Sequence, residues 1–406
     1  MSESAGTVGL SRARVAILLL MVAALSCDLT VNCRGLMAAF RAIQWGALPL
    51  WLGILAAAGP AMYALGCLTL GRLSDRLGRR NSAVSGLALA ALALAGHYFS
   101  TQVWHLVACA GVFGCGLSLF WPTTEAWFSD LAADSPRGLD RALGNFNLAW
   151  STGMVIGALL GGFLWQVLEA RAFLALLVLL CVVALGLFGV PQPRRTEPSL
   201  HLHAHNGQRV DPAVTARYLL SARLTAFLSW FMTGVNLTIL PKLAHEIHMP
   251  ESQTGLAIAA YYAAVVVGFW IGRTSGRWQY RRWPIVLPVP LALVGMGGLV
   301  VAQSVGPFMV ACLIAGASTA LSASTALYYA LHGREEDLAA STAIHETVVG
   351  IGGVAGAVVS GLLAEALTVR YGLEPALRDC FVMVGAVAAL IGLAQVVAWR
   401  VMGKRA

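Results

Sequence analysis

The chain is built from long apolar runs, and these restrict its folds more than any other feature. Twelve stretches near the length that crosses a bilayer core as helix recur at about 15–36, 48–70, 81–100, 103–128, 144–168, 172–190, 222–244, 253–272, 283–303, 307–331, 340–366 and 378–401. Each run is continuously apolar rather than alternating, which favours helices over barrel strands. Lipid offers the backbone no hydrogen-bond partners, and a helix satisfies its own. Only 11% of the 406 residues are charged and mean hydropathy is +0.74, whereas soluble domains carry about 25% charged residues. The expected fold is an all-α membrane protein with twelve spanning helices. The first run starts after Arg12 and Arg14 and reads as a spanning helix, not a cleaved leader.

The net charge of +8 raises the question of a nucleic-acid partner, which its distribution answers. If the N terminus is cytoplasmic, 21 of the 27 Lys and Arg fall on that side, and Arg34, Arg41, Arg171, Lys242, Arg370 and Arg378 on the other. That bias follows the positive-inside rule for an even number of spans with both ends inside. The charge therefore reflects topology, and no nucleic acid is expected; short loops and few lysines lead us to expect an inner (plasma) membrane. The eight cysteines have no metal-site spacing and read as packing residues. His201, His203 and His205 alternate in a polar stretch rich in proline, a pattern more often incidental than metal-binding. No metal or cofactor is expected.

The longest polar stretch divides the chain into 1–190, a linker at 191–221, and 222–406, six runs on either side. The halves echo each other. Gly153, Gly157, Ala158 and Gly162 in run 5 map at an offset of 199 onto Gly352, Gly356, Ala357 and Gly361 in run 11. Small residues at spacing four let helix backbones approach closely, so helices 5 and 11 are expected to pack at equivalent places. The basic loop Gly71-Arg72-Leu73-Ser74-Asp75-Arg76-Leu77-Gly78-Arg79-Arg80 has a weaker echo at Gly272-Arg273-Thr274-Ser275-Gly276-Arg277.

The 71–80 loop, between runs 2 and 3, resembles the signature loop of the major facilitator superfamily. Twelve runs, the mid-chain linker and the echo at 272 agree with it. The resemblance implies the major facilitator fold: two six-helix pseudo-repeat bundles. It also implies a cytoplasmic gate of Gly71, Asp75, Arg76, Gly78, Arg79 and Arg80. Asp75 would cap the N terminus of helix 11, and the arginines would bridge to Asp130 at the end of helix 4. A carboxylate suits a helix N terminus on its own physics. The competing reading makes the arginines topology determinants that bind lipid phosphates. Gly276 replaces the carboxylate in the second loop, so a matching gate there is expected to be weaker. The glycine run in helix 5 is similar to that of the superfamily's drug–proton antiporters, with Ala158 in place of the usual proline. The arginine often found midway along helix 4 of such proteins would fall at Ala110.

Carboxylates inside spanning helices are costly and point to function. Asp28, Glu125 and Glu346 qualify and are the expected proton-coupling residues. In a low-dielectric cavity such a group can exchange a proton near neutral pH. The competing reading for each is a structural ion pair or interhelical hydrogen bond. Asn32, Arg34, Trp121, Asn236, Tyr261, Tyr262 and His345 are candidate substrate-binding residues. So are Ser322, Thr325 and Tyr329, which with Ser318 form one polar stripe on helix 10; hydrogen bonding between helices competes for that stripe.

The sequence thus reads as a secondary active transporter, not an enzyme. It is expected to be a monomer in the lipid bilayer, moving a small organic solute with protons as coupling ion. Export by antiport is slightly favoured. A proton-coupled uptake symporter for a sugar or organic acid is the first alternative. A transporter-like receptor or lipid-handling protein is the second.

Overall fold

The computed structural model describes residues 2–70, 77–132, 139–192, 212–274, 278–331 and 338–403. These residues form helices and turns, with no strand among them. The N-terminal half contains α1 (Ser2–Gln44), α2 (Pro49–Leu70), α3 (Arg79–Phe99), α4 (Val103–Ala132), α5 (Leu139–Leu168) and α6 (Ala172–Leu187). The C-terminal half contains α7 (Pro212–Glu246), α8 (Glu251–Thr274), α9 (Pro288–Val301, led in by a turn at Trp283–Val286), α10 (Val305–Leu331), α11 (Leu338–Tyr371) and α12 (Leu373–Gly403). Eleven continuous stretches are long and apolar enough to cross a membrane. One of them, Gly144–Leu187, contains both α5 and α6, joined by a 3-10 turn at Glu169–Arg171. The expected twelve legs are therefore present. α7 begins at Pro212, ahead of the apolar run, because its first turns are polar.

The chain reverses between legs within a few residues. Gly46, Gly78 and Gly372 hold φ of 73°, 81° and 83° there, a left-handed conformation open to residues without a Cβ. Two arginines pin the ends of peripheral helices. Arg41 of α1 donates to the carbonyls of His97 (2.6 Å), Tyr98 (3.1 Å) and Ser100 (2.7 Å) at the end of α3. Arg378 of α12 does the same at the end of α9, donating to Val300 (2.6 Å) and Ala302 (2.9 Å). Cations satisfy the orphan carbonyls of a helix C terminus and complement its dipole.

Candidate functional site

The site begins with how the halves meet. Gly153 and Gly157 of α5 lie against the backbone of Leu25 and Leu29 in α1, so close that a Cβ on either would strike a carbonyl oxygen. Gly352 and Gly356 of α11 meet Phe227 and Phe231 of α7 in the same way. One turn further on, each helix turns to the other half. Gly162 meets Glu251 and Ser252 of α8, and Gly361 meets Pro49 and Leu50 of α2. The partners reciprocate, with Gly255 against the Ala158 carbonyl and Gly53 against that of Ala357. The equivalence of helices 5 and 11 is realised residue by residue.

Both inter-half contacts lie at the end of the bundle opposite the chain termini, and they seal it. A hydrogen bond crosses this seal: the Leu50 N–H, in the first turn of α2, donates to Glu365 Oε2 of α11 at 3.2 Å. The first N–H groups of a helix lack intrahelical partners, and a carboxylate suits them. Removing this acceptor in Glu365→Ala should cost the sealed state about 1 kcal/mol, roughly a fivefold shift in population. Electron–electron resonance between labels at positions 45 and 371 should then gain a longer-distance component; an unchanged distribution would refute the latch.

Below the seal, side chains from both halves converge. Asp28 of α1 is half-buried, whereas Glu125 of α4 and Glu346 of α11 are exposed. Asp28 lies within electrostatic reach of Glu125, and Glu125 of Glu346. Tyr63 and Cys67 of α2, one turn apart, lie within electrostatic reach of Glu125 and Glu346 as well. Among the described residues no cation pairs with any of the three carboxylates. Asn32 donates its amide to the Asp28 carbonyl at 2.9 Å, which fixes it on the same face.

Tyr262 of α8 approaches Asp28 from the other half. It lines a small pocket together with Asn236, Thr233, Leu237, Tyr261 and Cys312. Asn236 is 5% exposed, and neither its Oδ1 nor its Nδ2 has a hydrogen-bond partner. The Tyr261 hydroxyl, by contrast, sits between Thr233 Oγ1 (2.7 Å) and Thr319 Oγ1 (2.6 Å), which tie α7, α8 and α10 together. His345 is buried on α11 beside Arg223, with Nδ1 unpartnered. Trp121 packs edge-on against Phe120 and Phe146, one turn before Glu125.

Two expectations need correction. Arg34 does not reach the shared space. It is buried inside the N-terminal half, with Nη1 3.3 Å from His97 Nε2 and its guanidinium 4.7 Å from the Phe113 ring centre. Six residues beyond Asp28 it points to another side of α1. The helix-10 stripe is also turned away. Ser322 and Thr325 donate to carbonyls of their own helix, and Ser318 donates to Pro288 of α9 at 2.7 Å. Tyr329 accepts the Tyr280 N–H at 2.9 Å inside an aromatic cluster with Tyr218 and Tyr328. These hydroxyls are used up in packing.

Gly71, Asp75, Arg76 and Gly276 lie outside the described residues, as do the three linker histidines. Of the remaining loop residues, Gly78 precedes α3. Arg79 Nε is 3.6 Å from Asp130 Oδ2 at the end of α4. Arg80 donates to the Val190 carbonyl past the end of α6 at 2.7 Å.

A sequence model of the Major Facilitator Superfamily matches residues 18–223 and again residues 222–405. The chain belongs to the Major Facilitator Superfamily. This facilitator is 27% identical over 256 residues to the inner membrane metabolite transport protein YgcS of Escherichia coli (strain K12), covering 55% of the chain and 56% of that protein. It is 28% identical over 211 residues to the arabinose–proton symporter of the same strain, covering 49% and 44%. The chain thus spans about half the length of the curated relatives it matches. Among solved structures, a bacterial homolog of the human lysosomal transporter Spinster, inward-facing and unoccupied, superposes with a TM-score of 0.78. Its identity is 14%, over 97% of this chain and 98% of that one. The nucleoside transporter NupG gives 0.70 at 10% identity over 95% and 99%. At such identities the likeness establishes the fold. The chain is a multi-pass membrane protein of this superfamily, and its relatives and fold are those of membrane transporters, not of enzymes.

Proposed function

We propose that this facilitator exports a small organic solute by alternating access, driven by proton entry through Asp28, Glu125 and Glu346. The observation that carries this reading is that the three carboxylates, on α1, α4 and α11, lie within electrostatic reach of one another, with no ion pair to any of them among the described residues. Several carboxylates inside a bundle cannot all stay charged without compensation. Protons or solute must neutralise them, and the two then alternate. In this reading the end with the termini is cytoplasmic. The loop at 71–80, with the Arg79–Asp130 pair, latches that end when the protein turns outward.

Proteoliposomes holding a pH gradient and a trapped pH dye supply the test, challenged with a panel of organic amines, sugars and acids. The transported solute should dissipate the gradient and move only while the gradient exists. Asp28→Asn, Glu125→Gln and Glu346→Gln should each reduce gradient-driven movement at least about tenfold, as expected when a charge-assisted interaction is removed. Intact driven transport in all three variants would sink proton coupling.

A second reading, proton-coupled uptake of a polar metabolite, is favoured by the similarity to an arabinose–proton symporter. Cells making the protein should exclude the solute under the first reading and accumulate it under the second.

A further inference from the structure

We infer that Arg217, Arg281 and Arg282, gathered around Trp399, bind the phosphate of an anionic phospholipid in the leaflet on the side of the chain termini. The site belongs to the C-terminal half alone and does not depend on which solute moves.

The first observation is a difference between the halves. At the start of α3, Arg80 lies over the Phe188 ring just past the end of α6, 6.0 Å from its centre, and donates to the Val190 carbonyl at 2.7 Å. Ahead of α9, Arg282 lies over the Trp399 ring near the end of α12 in the same way, 5.2 Å from its centre. Here no carbonyl completes the arrangement. α6 stops at Leu187 and leaves carbonyls free beyond it, whereas α12 continues to Gly403, so the carbonyls beside Trp399 are taken within the helix. Arg79 likewise has Asp130, but among the described residues Arg217, Arg281 and Arg282 have no ion pair.

The second observation is Arg217, in the first turns of α7. It is half-buried, and its Nε and Nη2 have no hydrogen-bond partner. It stands one turn before Ser221, whose hydroxyl accepts the Trp399 indole N–H at 2.9 Å, so it shares the face that α7 turns to Trp399. A guanidinium without an acceptor favours an ionised one, and phosphate meets its planar fork with two oxygens. The place is also held firmly. Tyr218 packs edge-on against Trp399 with 5.1 Å between ring centres, and donates to the Tyr280 carbonyl at 2.6 Å. Tyr329 accepts the Tyr280 N–H at 2.9 Å. These contacts keep Tyr280 at a φ of 52°, where residues other than glycine are uncommon, and so fix the position of the exposed Arg281 and Arg282 that follow.

The surroundings select a lipid over a soluble phosphate. α9 and α12 pack on each other, and along them Val286, Leu287 and Val397 are exposed, an apolar surface suited to acyl chains. Trp283, also exposed, marks the headgroup level. Cations at that level beside an apolar wall draw anionic lipid.

Native mass spectrometry of the delipidated full chain in detergent, titrated with phosphatidylglycerol or phosphatidylcholine, tests the site. The first phosphatidylglycerol should bind at least about tenfold more tightly than phosphatidylcholine, as expected of charge-assisted contacts to phosphate. Arg217→Gln with Arg282→Gln should weaken that first site about thirtyfold, the sum of two basic contacts near a membrane surface. Arg14→Gln removes an exposed cation from α1 on the same side and should leave it unchanged. Arg282→Gln alone changes an exposed position and should keep about a fivefold loss if the double variant fails to fold. Glycerol 3-phosphate, the soluble headgroup, should not displace the lipid. Equal binding of the two lipids, an equal loss in Arg14→Gln, no loss in Arg282→Gln, or displacement by glycerol 3-phosphate would each overturn the inference.

Discussion

Gly157→Val should leave almost no folded protein. Gly157 sits against the Leu29 backbone of α1, with its Cα direction blocked by a carbonyl oxygen. A valine forces α1 and α5 apart along their whole contact, including Gly153 on Leu25 and Gly161 on Cys33. Lipid supplies no hydrophobic drive to hold separated helices together, so lost backbone packing is not replaced. The cost should be at least about 3 kcal/mol, the upper end of overpacking effects. Gly356→Val should do the same to α7 and α11, where the obstacle is the Phe231 carbonyl. Gly297→Val is the control, because nothing lies within 4 Å of a Cβ there. Yield and elution from a sizing column, with melting temperature, report the result. A Gly157→Val protein that elutes and melts like its parent would show that the α1–α5 contact does not hold the half together.

Gly162→Val should fold and yet change the shape of the protein. Its obstacles are Glu251 C at 3.0 Å and Ser252 Cα at 3.0 Å, which belong to the other half. Gly361→Val meets the Pro49 oxygen at 2.7 Å and Leu50 Cα at 3.1 Å, again across the divide. Each half keeps its internal packing, so the strain is relieved by parting the halves at the sealed end. A penalty of about 2 kcal/mol on the sealed state shifts the equilibrium roughly thirtyfold toward opening there. Labels at positions 45 and 371 should report longer distances in both variants, with melting close to that of the parent. Unchanged distances in well-folded protein would mean that the seal is not where the halves part. Loss of folding, as in Gly157→Val, would mean that the halves are not independent bodies.

Much of this was legible in the sequence because lipid simplifies the rules. Twelve runs could only be helices, and glycines at spacing four could only be close contacts. The offset of 199 carries Gly153 and Gly157 onto Gly352 and Gly356. Asp28, Glu125 and Glu346 stood out because a carboxylate within an apolar run is costly. Direction was the harder quantity. On a helix apolar all round, periodicity does not separate the lipid face from the bundle face, so Arg34 and the helix-10 stripe read like pathway residues. A serine can bond the carbonyl one turn back, as Ser322 does with Ser318, and its polarity then says nothing about water. Tyr63 and Cys67 gave no sequence signal beyond being polar groups one turn apart. Glu365 stood at the end of its run, and its partner Leu50 is separated from it by most of the chain.

The contacts between the halves have one further property. Ala158 against Gly255 and Ala357 against Gly53 are backbone laid on backbone, twice, about a shared axis. Such surfaces have no interlocking teeth. At those points one helix can turn on the other with little side-chain repacking, whereas the Trp150–Phe269 ring contact farther along α5 and α8 has to part. The work of switching is then concentrated in what must be wetted, dried or uncapped at the two mouths, which is where proton and cargo act.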